Sequence, residues 1–318
     1  MANRRRLIAR WALTVAVLAI LFWQLDTGAV SATLSALSLW LLLPIGVLVL
    51  LQVTLSAWRW RYTSGALGVT VPPGLAFREY YLATFLNQVL PGGVAGDFNR
   101  AWRQGLRSGE KLAALHSVMI ERLSGQLLLG LAAIISGALY LPQALRVNGS
   151  GYIAWLLAVG MLVLVVFGLF RNRVRHYLDL LRKDLRRALL GWPQLPVQLT
   201  GSALVLAGYL GVLLILAAGQ GNWAGTGSVG LLLALGTILL LSMVVPVTVA
   251  GWGVRESAAA VLWPVAGLPA EQGVALSLAY GVVNLLWSLP GGLLLFSGRS
   301  APQAQGGTPG QTTYRTRG

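Results

Sequence analysis

The sequence predicts an all-α fold, a polytopic membrane helix bundle of about eight spans with re-entrant or broken helices. Of its 318 residues, 56% are hydrophobic and only 10% are charged, and the mean hydropathy is +0.71. Soluble domains carry about 25% charged residues, so this composition excludes an ordinary soluble protein. The chain has no cysteine, which excludes a disulfide framework and a thiolate metal site.

The predicted spans are apolar runs close to the roughly 20 residues that cross a bilayer as a helix. In chain order they cover residues 8–25, 39–57, 115–140, 152–170, 199–218, 228–249, 256–268 and 273–296. The run at 256–268 is short, and counting it gives the eight crossings. We therefore expect a flippase-like transmembrane domain over residues 1–298. The rest, 299–318, is rich in Gly, Gln, Pro and Thr and is expected to be a disordered tail.

The net charge of +15 is concentrated at the ends of the apolar runs. This is the positive-inside pattern of membrane proteins, and it argues against nucleic-acid binding. It predicts a multi-pass protein of the inner (plasma) membrane with cytoplasmic N- and C-termini. Arg59, Arg61 and Arg78 are assigned to one cytoplasmic boundary. The basic segment "RNRVRHYLDLLRKDLRRALLGW" (171–192) has leucines at helical spacing, which predicts either a helix on the inner leaflet or a solvated loop.

The stretch "LNQVLPGGVAGDFNRAWR" (86–103) interrupts an apolar helix between two flanks that are both predicted to be cytoplasmic. It is too short to cross the bilayer twice, so we predict a re-entrant segment. Proline and glycines would form its turn, namely Pro91, Gly92, Gly93 and Gly96. Asp97 would cap a returning helix that carries Arg100 and Arg103, and such a helix start can hold an anion. A Gly-rich cytoplasmic loop with an ordinary cap is the alternative.

Glu121 and Arg122 lie in an otherwise apolar run, "SVMIERLSGQLLLGL". A charge near the bilayer centre costs roughly 2.5 to 3.5 kcal/mol, so this pair is predicted to face the interior of the bundle. The alternative is a position near the cytoplasmic end, from which both side chains reach the headgroups.

A second break, "VVPVTVAGWGVRESAAA" (244–260), has the same composition as the first. Its turn residues are Pro246, Gly251 and Gly253, and Arg255 and Glu256 follow directly. The pattern P-x-x-V-A-G recurs at 91–96 and 246–251. Transporters often pair broken helices from internal repeats around a substrate site. The candidate substrate-binding residues are the polar side chains of these segments: Asn87, Asp97, Arg100, Arg103, Glu121, Arg122, Arg255 and Glu256.

Three motifs, "LNQVLPGGVAGDFNRAWR", "ERLSGQLLLG" and "VPVTVAGWGVRESA", resemble those of a known family over about residues 8–298. It comprises flippase-like integral membrane proteins related to the transmembrane region of lysylphosphatidylglycerol synthase. The resemblance implies an inner-membrane protein with re-entrant segments that is associated with moving a lipid or lipid-linked headgroup between leaflets. Members that synthesise lysyl-lipid carry an aminoacyltransferase domain, to which nothing in this sequence corresponds, so synthase activity is not expected.

The first functional hypothesis is therefore translocation of a phospholipid or lipid-linked intermediate. Arg100 and Arg255 would bind the lipid phosphate in a cavity where the two broken elements meet, and Asp97, Glu121 and Glu256 would orient the arginines. Expected partners are membrane lipids with an anionic or lipid-linked headgroup, and no cofactor, metal or nucleic acid is expected. The alternatives are a membrane-embedded lipid-modifying enzyme and a non-transporting assembly partner of a cell-envelope biosynthesis enzyme.

Overall fold

The computed structural model describes residues 27–35, 38–90, 93–145, 181–220, 229–244 and 248–295, with a few isolated positions before residue 27. The span predicted at 152–170, the tail, and most of the span predicted at 8–25 lie outside the described residues. So do three of the predicted turn residues, Pro91, Gly92 and Pro246.

All secondary structure in the described ranges is helical, which confirms the predicted all-α class. The α-helices in chain order are α1 (Thr27–Ser35), α2 (Leu42–Ala66), α3 (Pro73–Val89), α4 (Ala95–Ser108), α5 (Lys111–Leu145), α6 (Gln194–Gly219), α7 (Val229–Ser242), α8 (Val254–Val265) and α9 (Ala270–Leu293). A 3-10 turn, Leu39–Leu41, leads into α2, and a π-helical turn, Arg186–Leu190, precedes α6.

Four of the described helices are long and apolar enough to cross a membrane: Leu39–Ala66, Lys111–Tyr140, Gln194–Gly219 and Ala270–Leu293. They correspond to four of the predicted spans. The apolar run at 228–249 contains α7, of 14 residues, and the run at 256–268 overlaps α8, of 12 residues. Both helices are shorter than the roughly 20 residues of a full span, so the described helices do not confirm eight crossings.

The outer surface of the bundle is apolar, as expected for a protein surrounded by lipid. Helix α5 shows this best, because large aliphatic side chains on its outer side are more than half exposed: Leu127, Leu131, Ile134 and Leu139. The bundle interior, by contrast, contains charged and polar side chains among the apolar ones. The composition of the chain and the apolar side chains on its surface both indicate a membrane protein.

Helices α3 and α4 form a short antiparallel hairpin that packs against α2, α5 and α9. Gly93 has a φ of 62°, a conformation that favours glycine, and it lies at the turn between the two helices. Gly96 is required for the close packing of the hairpin, since a Cβ atom there would come 2.1 Å from the carbonyl oxygen of Ala83. The polar end of α4 is therefore held directly against α3.

The two faces of α4 are reversed relative to those of a soluble amphipathic helix. Phe98, Trp102 and Leu106, spaced four residues apart, are all more than half exposed, whereas Asp97 and Arg100 are buried. A helix in water turns its apolar face inward, but a helix in contact with lipid turns it outward. The exposed apolar stripe of α4 is therefore the arrangement expected of a helix that faces lipid.

Helix α8 begins after a tight break. The backbone takes positive φ angles at Ala250 (51°), Gly251 (78°) and Gly253 (85°). The backbone N–H of Gly253 donates to the Glu256 carboxylate at 2.6 Å, which satisfies one amide of the first turn of α8. The start of α8 is therefore fixed by its own sequence.

The basic segment before α6 packs against the bundle in its described half, residues 181–190. Leu181 and Leu189 are buried with Ile120 of α5 in one apolar cluster. His116 of α5 pairs with Asp184 at 2.5 Å between Nδ1 and Oδ2. The apolar side of this half thus contacts protein, not the inner leaflet as the sequence pattern suggested, because α5 offers it a buried apolar surface.

Candidate functional site

A buried group of charged residues connects α2, α4 and α5. It consists of Arg59 from α2, Asp97 and Arg100 from α4, and Glu121 and Arg122 from α5, and is called here the hairpin cluster. Arg59, Arg100 and Glu121 are at most 2% exposed and Asp97 is 7% exposed. The Arg122 side chain is 37% exposed. One edge of the cluster is therefore open while the rest is enclosed.

Asp97 connects the two helices that carry most of the cluster. Its Oδ1 accepts from Arg100 Nε at 3.0 Å, one turn along the same helix. Arg122 Nη2 lies 3.0 Å from Oδ1 and 2.9 Å from Oδ2. Asn87 of α3 donates to Oδ2 at 3.1 Å. Asp97 thus binds two arginines and an amide at the same time.

The prediction that Asp97 caps α4 is wrong. Helix α4 begins at Ala95, and no side chain of its N-cap residue, Val94, forms a capping hydrogen bond. Instead, the Asn87 Oδ1 of α3 accepts from the backbone N–H of Gly96 at 2.8 Å. The carboxylate of Asp97 is occupied by arginines, so the neighbouring helix supplies the acceptor for the first turn.

Glu121 is the second acid of the hairpin cluster and lies inside the bundle. Arg100 Nη2 donates to its Oε2 at 2.7 Å. Its Oε1 is 3.6 Å from Arg59 Nη1 and accepts from the Tyr80 hydroxyl at 3.3 Å. With only 2% of its surface exposed, Glu121 makes its contacts with protein groups, not with headgroups.

The hairpin cluster carries three arginines and two carboxylates, which leaves one net positive charge. Three of its guanidinium nitrogens, Arg59 Nε, Arg100 Nη1 and Arg122 Nε, have no hydrogen-bond acceptor among the described residues. The aromatic rings of Trp60 and Tyr80, 4.8 and 4.4 Å from the Arg100 guanidinium, compensate part of the charge. An anion that reached the cluster would meet unsatisfied donors.

Arg103 lies outside the hairpin cluster. Its Nη2 contacts Glu79 Oε1 at 3.1 Å, and Arg107 Nη2 contacts the same oxygen at 2.9 Å. Glu79 is 1% exposed, while the two arginine side chains are 34% and 27% exposed. The structure thus places Arg103 at the edge of the hairpin, in a pair that sequence reasoning did not identify.

Arg255 and Glu256 form a second buried site at the start of α8. Arg255 Nη2 donates to Glu256 Oε1 at 2.8 Å, and Ser277 of α9 bridges the pair, accepting from Arg255 Nε at 2.7 Å and donating to Glu256 at 2.9 Å. Gly281 provides the space for the guanidinium, since a Cβ there would come 2.3 Å from Arg255 Nη2. Both charged residues are at most 2% exposed.

The two charged sites have no direct hydrogen bond or ion pair between them in the described structure. Helix α9 contacts the second site through Ser277 and contacts α3 through Trp287, whose carbonyl accepts from the Tyr81 hydroxyl at 2.7 Å. Ten residues of helix correspond to roughly 15 Å. No hydrogen bond or ion pair joins the two sites within the described ranges. The single cavity expected from the sequence, with Arg100 and Arg255 on one phosphate, therefore remains a prediction.

Two charged residues, one in the hairpin cluster and one beside it, were missed in the sequence analysis. Arg59 was assigned to a cytoplasmic boundary, yet α2 continues to Ala66 and directs Arg59 inward, where its Nη2 also donates to Ser124 at 2.6 Å. Glu79 had a usable signal, since it is an acid in the apolar run "AFREYYLATFL", the same argument that selected Glu121. Within the described residues no three His, Asp or Glu side chains form a metal-binding group.

A family model described as the lysylphosphatidylglycerol synthase TM region matches residues 7–291 of the chain. The matched range contains the hairpin cluster and the Arg255–Glu256 site. No curated protein and no solved structure matches the chain.

Proposed function

Since the chain belongs to the lysylphosphatidylglycerol synthase transmembrane-region family of membrane proteins, we propose that it moves a phosphate-bearing lipid between the two leaflets of the membrane. The cargo is a phospholipid or a lipid-linked intermediate. The observation that carries this proposal is the hairpin cluster, which is buried, positively charged and open at one edge.

The charge of the cluster argues for an anionic ligand. Removing an arginine from water without full compensation is costly in an apolar environment, so a net positive cluster gains from an incoming anion. A phosphodiester presents two free oxygens that match the fork of a guanidinium group. Arg122 is the group that such a phosphate would meet first, because it is the most exposed arginine of the cluster.

In the structure, the Asp97 carboxylate occupies the place on Arg122 where such a phosphate would bind. Both of its carboxylate oxygens contact Arg122 Nη2, a nitrogen that an incoming phosphate would contact. A lipid phosphate would therefore exchange with Asp97 on Arg122, and Asp97 would take Arg122 back when the lipid leaves. This exchange avoids leaving an unpaired arginine in the membrane at any step.

The outer face of α4 explains how a lipid could approach. Phe98, Trp102 and Leu106 form an exposed apolar stripe on the helix that carries Asp97 and Arg100. Acyl chains could remain against this stripe while the headgroup enters between α4 and α5. The α3–α4 hairpin is, in this proposal, a re-entrant element of the plasma membrane, and both chain termini are cytoplasmic. A polar headgroup crosses hydrocarbon only where fixed polar groups replace water.

The Arg255–Glu256 site has a different role in this proposal. Its acid is held by Gly253, Arg255 and Ser277, so it has little capacity for a further ligand. We assign it to positioning the start of α8. Arg103 and Arg107, half-exposed and sharing one acid, would attract anionic headgroups at the rim.

The test is movement of fluorescent phosphatidylglycerol and phosphatidylcholine across vesicles that contain the purified protein. We expect protein-dependent movement, slowed about tenfold in Arg122→Gln, which loses the first phosphate contact. Arg187→Gln, an exposed arginine of the basic segment, is the matched control and should behave as wild type. Equal rates of lipid movement in the two variants would show that the hairpin cluster does not take part in moving the lipid.

The same vesicle experiment distinguishes lipid movement from the two alternative functions, lipid modification and assembly with another enzyme. A chemically altered lipid, detected by mass spectrometry, would indicate a lipid-modifying enzyme. If vesicles built from the lipids that copurify with the protein show neither movement nor alteration, an assembly partner of a cell-envelope enzyme becomes the better account.

A further inference from the structure

A cavity of about 420 Å³ lies at the C-terminal end of α2. It is called here the α2 cavity and is lined by Trp58, Arg61, Tyr62, Gly65, Thr70 and Gln194, among others. Small-molecule sites range from about 300 to 1,000 Å³, so the volume suits a lipid headgroup. None of these six residues belongs to the hairpin cluster or to the Arg255–Glu256 site.

The α2 cavity and the hairpin cluster lie on different faces of one helix. Arg59 and Trp60 are buried toward α4 and α5, where they contact Glu121 and Arg100. Trp58, Arg61 and Gly65 follow the three-to-four-residue spacing of a single helix face and line the cavity. Occupation of one site therefore does not require occupation of the other.

The cavity combines an aromatic surface with a cation. The rings of Trp58 and Tyr62 stack at 5.9 Å between centroids with an interplanar angle of 26°. Arg61 Nε donates to the carbonyl of Val71 at 3.1 Å, which fixes the direction of the guanidinium. Neither Nη group of Arg61 makes a hydrogen bond to another described residue. Two donors beside a flat apolar surface suit a phosphate ester with a carbon skeleton.

The position of the cavity along α2 favours a lipid. The span Leu39–Ala66 has 28 residues, which rise by about 42 Å, against a hydrocarbon thickness of about 30 Å. A helix of this length extends beyond the hydrocarbon at one end or both. We place its last turns at the level of the headgroups, because tryptophan and tyrosine are enriched there and phospholipid phosphates are found there. Trp58 is 44% exposed at this level.

We propose that the α2 cavity binds the headgroup of one phospholipid, with its phosphate on Arg61 and its glycerol carbons against Trp58 and Tyr62. This site goes beyond the proposed function and stands independently of it. A lipid held here remains with the protein whether or not any lipid passes the hairpin cluster.

The structure offers a variant designed to fill the cavity at a position that is open to an added side chain. A Cβ atom at Gly65 would meet no atom within 4 Å, so Gly65→Leu places its side chain into the cavity. Gly130 of α5 is equally unobstructed and lies elsewhere, which makes Gly130→Leu the matched control. Arg61→Gln removes the cation, and Arg187→Gln is its control.

The experiment titrates fluorescent phosphatidylglycerol into the purified protein in detergent, with every variant built on Arg122→Gln so that the hairpin cluster does not contribute. We expect saturable binding that is lost in Gly65→Leu, weakened about tenfold in Arg61→Gln and unchanged in the two controls. Each variant must elute as a single species from a sizing column. Because a Cβ atom at Gly65 meets no neighbour, Gly65→Leu keeps the test valid even if Arg61→Gln folds poorly.

Two results would overturn the proposal. If Gly65→Leu binds the lipid as tightly as Gly130→Leu, or if no variant binds saturably, the Trp58–Tyr62 pair is only part of an aromatic belt. If glycerol 3-phosphate competes at the same concentration as the lipid, the cavity is a site for a free phosphate ester and the lipid assignment is wrong.

Discussion

Arg122 Nη2 lies within 3.0 Å of both carboxylate oxygens of Asp97, so one nitrogen of α5 holds the start of α4 in place. The two residues are 25 positions apart in the chain. Their contact is the open edge of the hairpin cluster, because the Arg122 side chain is 37% exposed whereas Arg100 behind it is fully buried. Any anion that enters the cluster must first alter this pair.

Asp97→Asn should destabilise the protein and make it responsive to anions. The substitution raises the net charge of the cluster by one and leaves Arg100 and Arg122 competing for Glu121. Breaking a buried pair costs about 3 to 5 kcal/mol, and the partial exposure of Arg122 reduces this to about 2 to 3 kcal/mol. Thermal unfolding in detergent measures the loss. Added phosphate should raise the melting temperature more in this variant than in wild type.

The control for that measurement is Glu110→Gln, an acid that is exposed between α4 and α5. It removes the same charge outside the cluster, so it should unfold as wild type does. An equal phosphate response in both variants would show that the effect arises from net charge, not from the hairpin cluster.

Arg100→Gln should impair folding more than Arg122→Gln does. Arg100 is fully buried and binds both Asp97 and Glu121, so its removal takes one ion-pair partner from each of two buried carboxylates. We expect a loss of about 3 to 5 kcal/mol and a low yield of monodisperse protein. Comparing yield and melting temperature of the two variants checks this order. The reverse order would mean that the enclosed part of the cluster contributes less than its open edge.

Gly96→Ala should separate α4 from α3. The added methyl group would lie 2.1 Å from the Ala83 carbonyl oxygen, a backbone atom that cannot move alone. The hairpin must open, which disturbs the Asn87 contacts to Gly96 and Asp97. We expect a melting temperature well below that of Gly130→Ala, whose methyl group meets no neighbour and should stabilise α5 by about 0.5 to 1 kcal/mol. Equal melting temperatures would contradict the close packing described here.

The fold of this protein can be predicted from its sequence more completely than the candidate site can. The all-α membrane class follows from composition, because lipid-facing helices must be apolar on most sides. Helix ends were harder to predict. Helix α2 was expected to end near residue 57 but continues to Ala66, since Arg59 and Trp60 turn inward, where they donate to the Glu121 carbonyl and the Ser117 hydroxyl. A charge at the end of an apolar run indicates a boundary only when it faces water.

The members of the hairpin cluster on α4 and α5 were identified from the sequence, but their pairing was not. Arg59 and Glu121 are 62 positions apart, and no local pattern records that separation. The same holds for Asn87, whose role in capping α4 depends on how closely α3 and α4 approach at Gly96. Glu79 was missed because neighbouring Arg78 made it look like part of an exposed boundary.

Asp184→Asn should loosen the basic segment that precedes α6. The Asp184 carboxylate lies 2.5 Å from His116 Nδ1, and this contact supplements the apolar packing of Leu181 and Leu189. Losing the charge weakens the contact while the apolar packing remains, so the protein should still fold. The segment carries exposed arginines at 182, 186 and 187, which makes limited trypsin digestion a direct measurement. We expect cleavage there to accelerate about threefold to tenfold over wild type. Glu110→Gln again serves as the control, and equal cleavage rates in the two variants would show that the apolar contacts alone hold the segment.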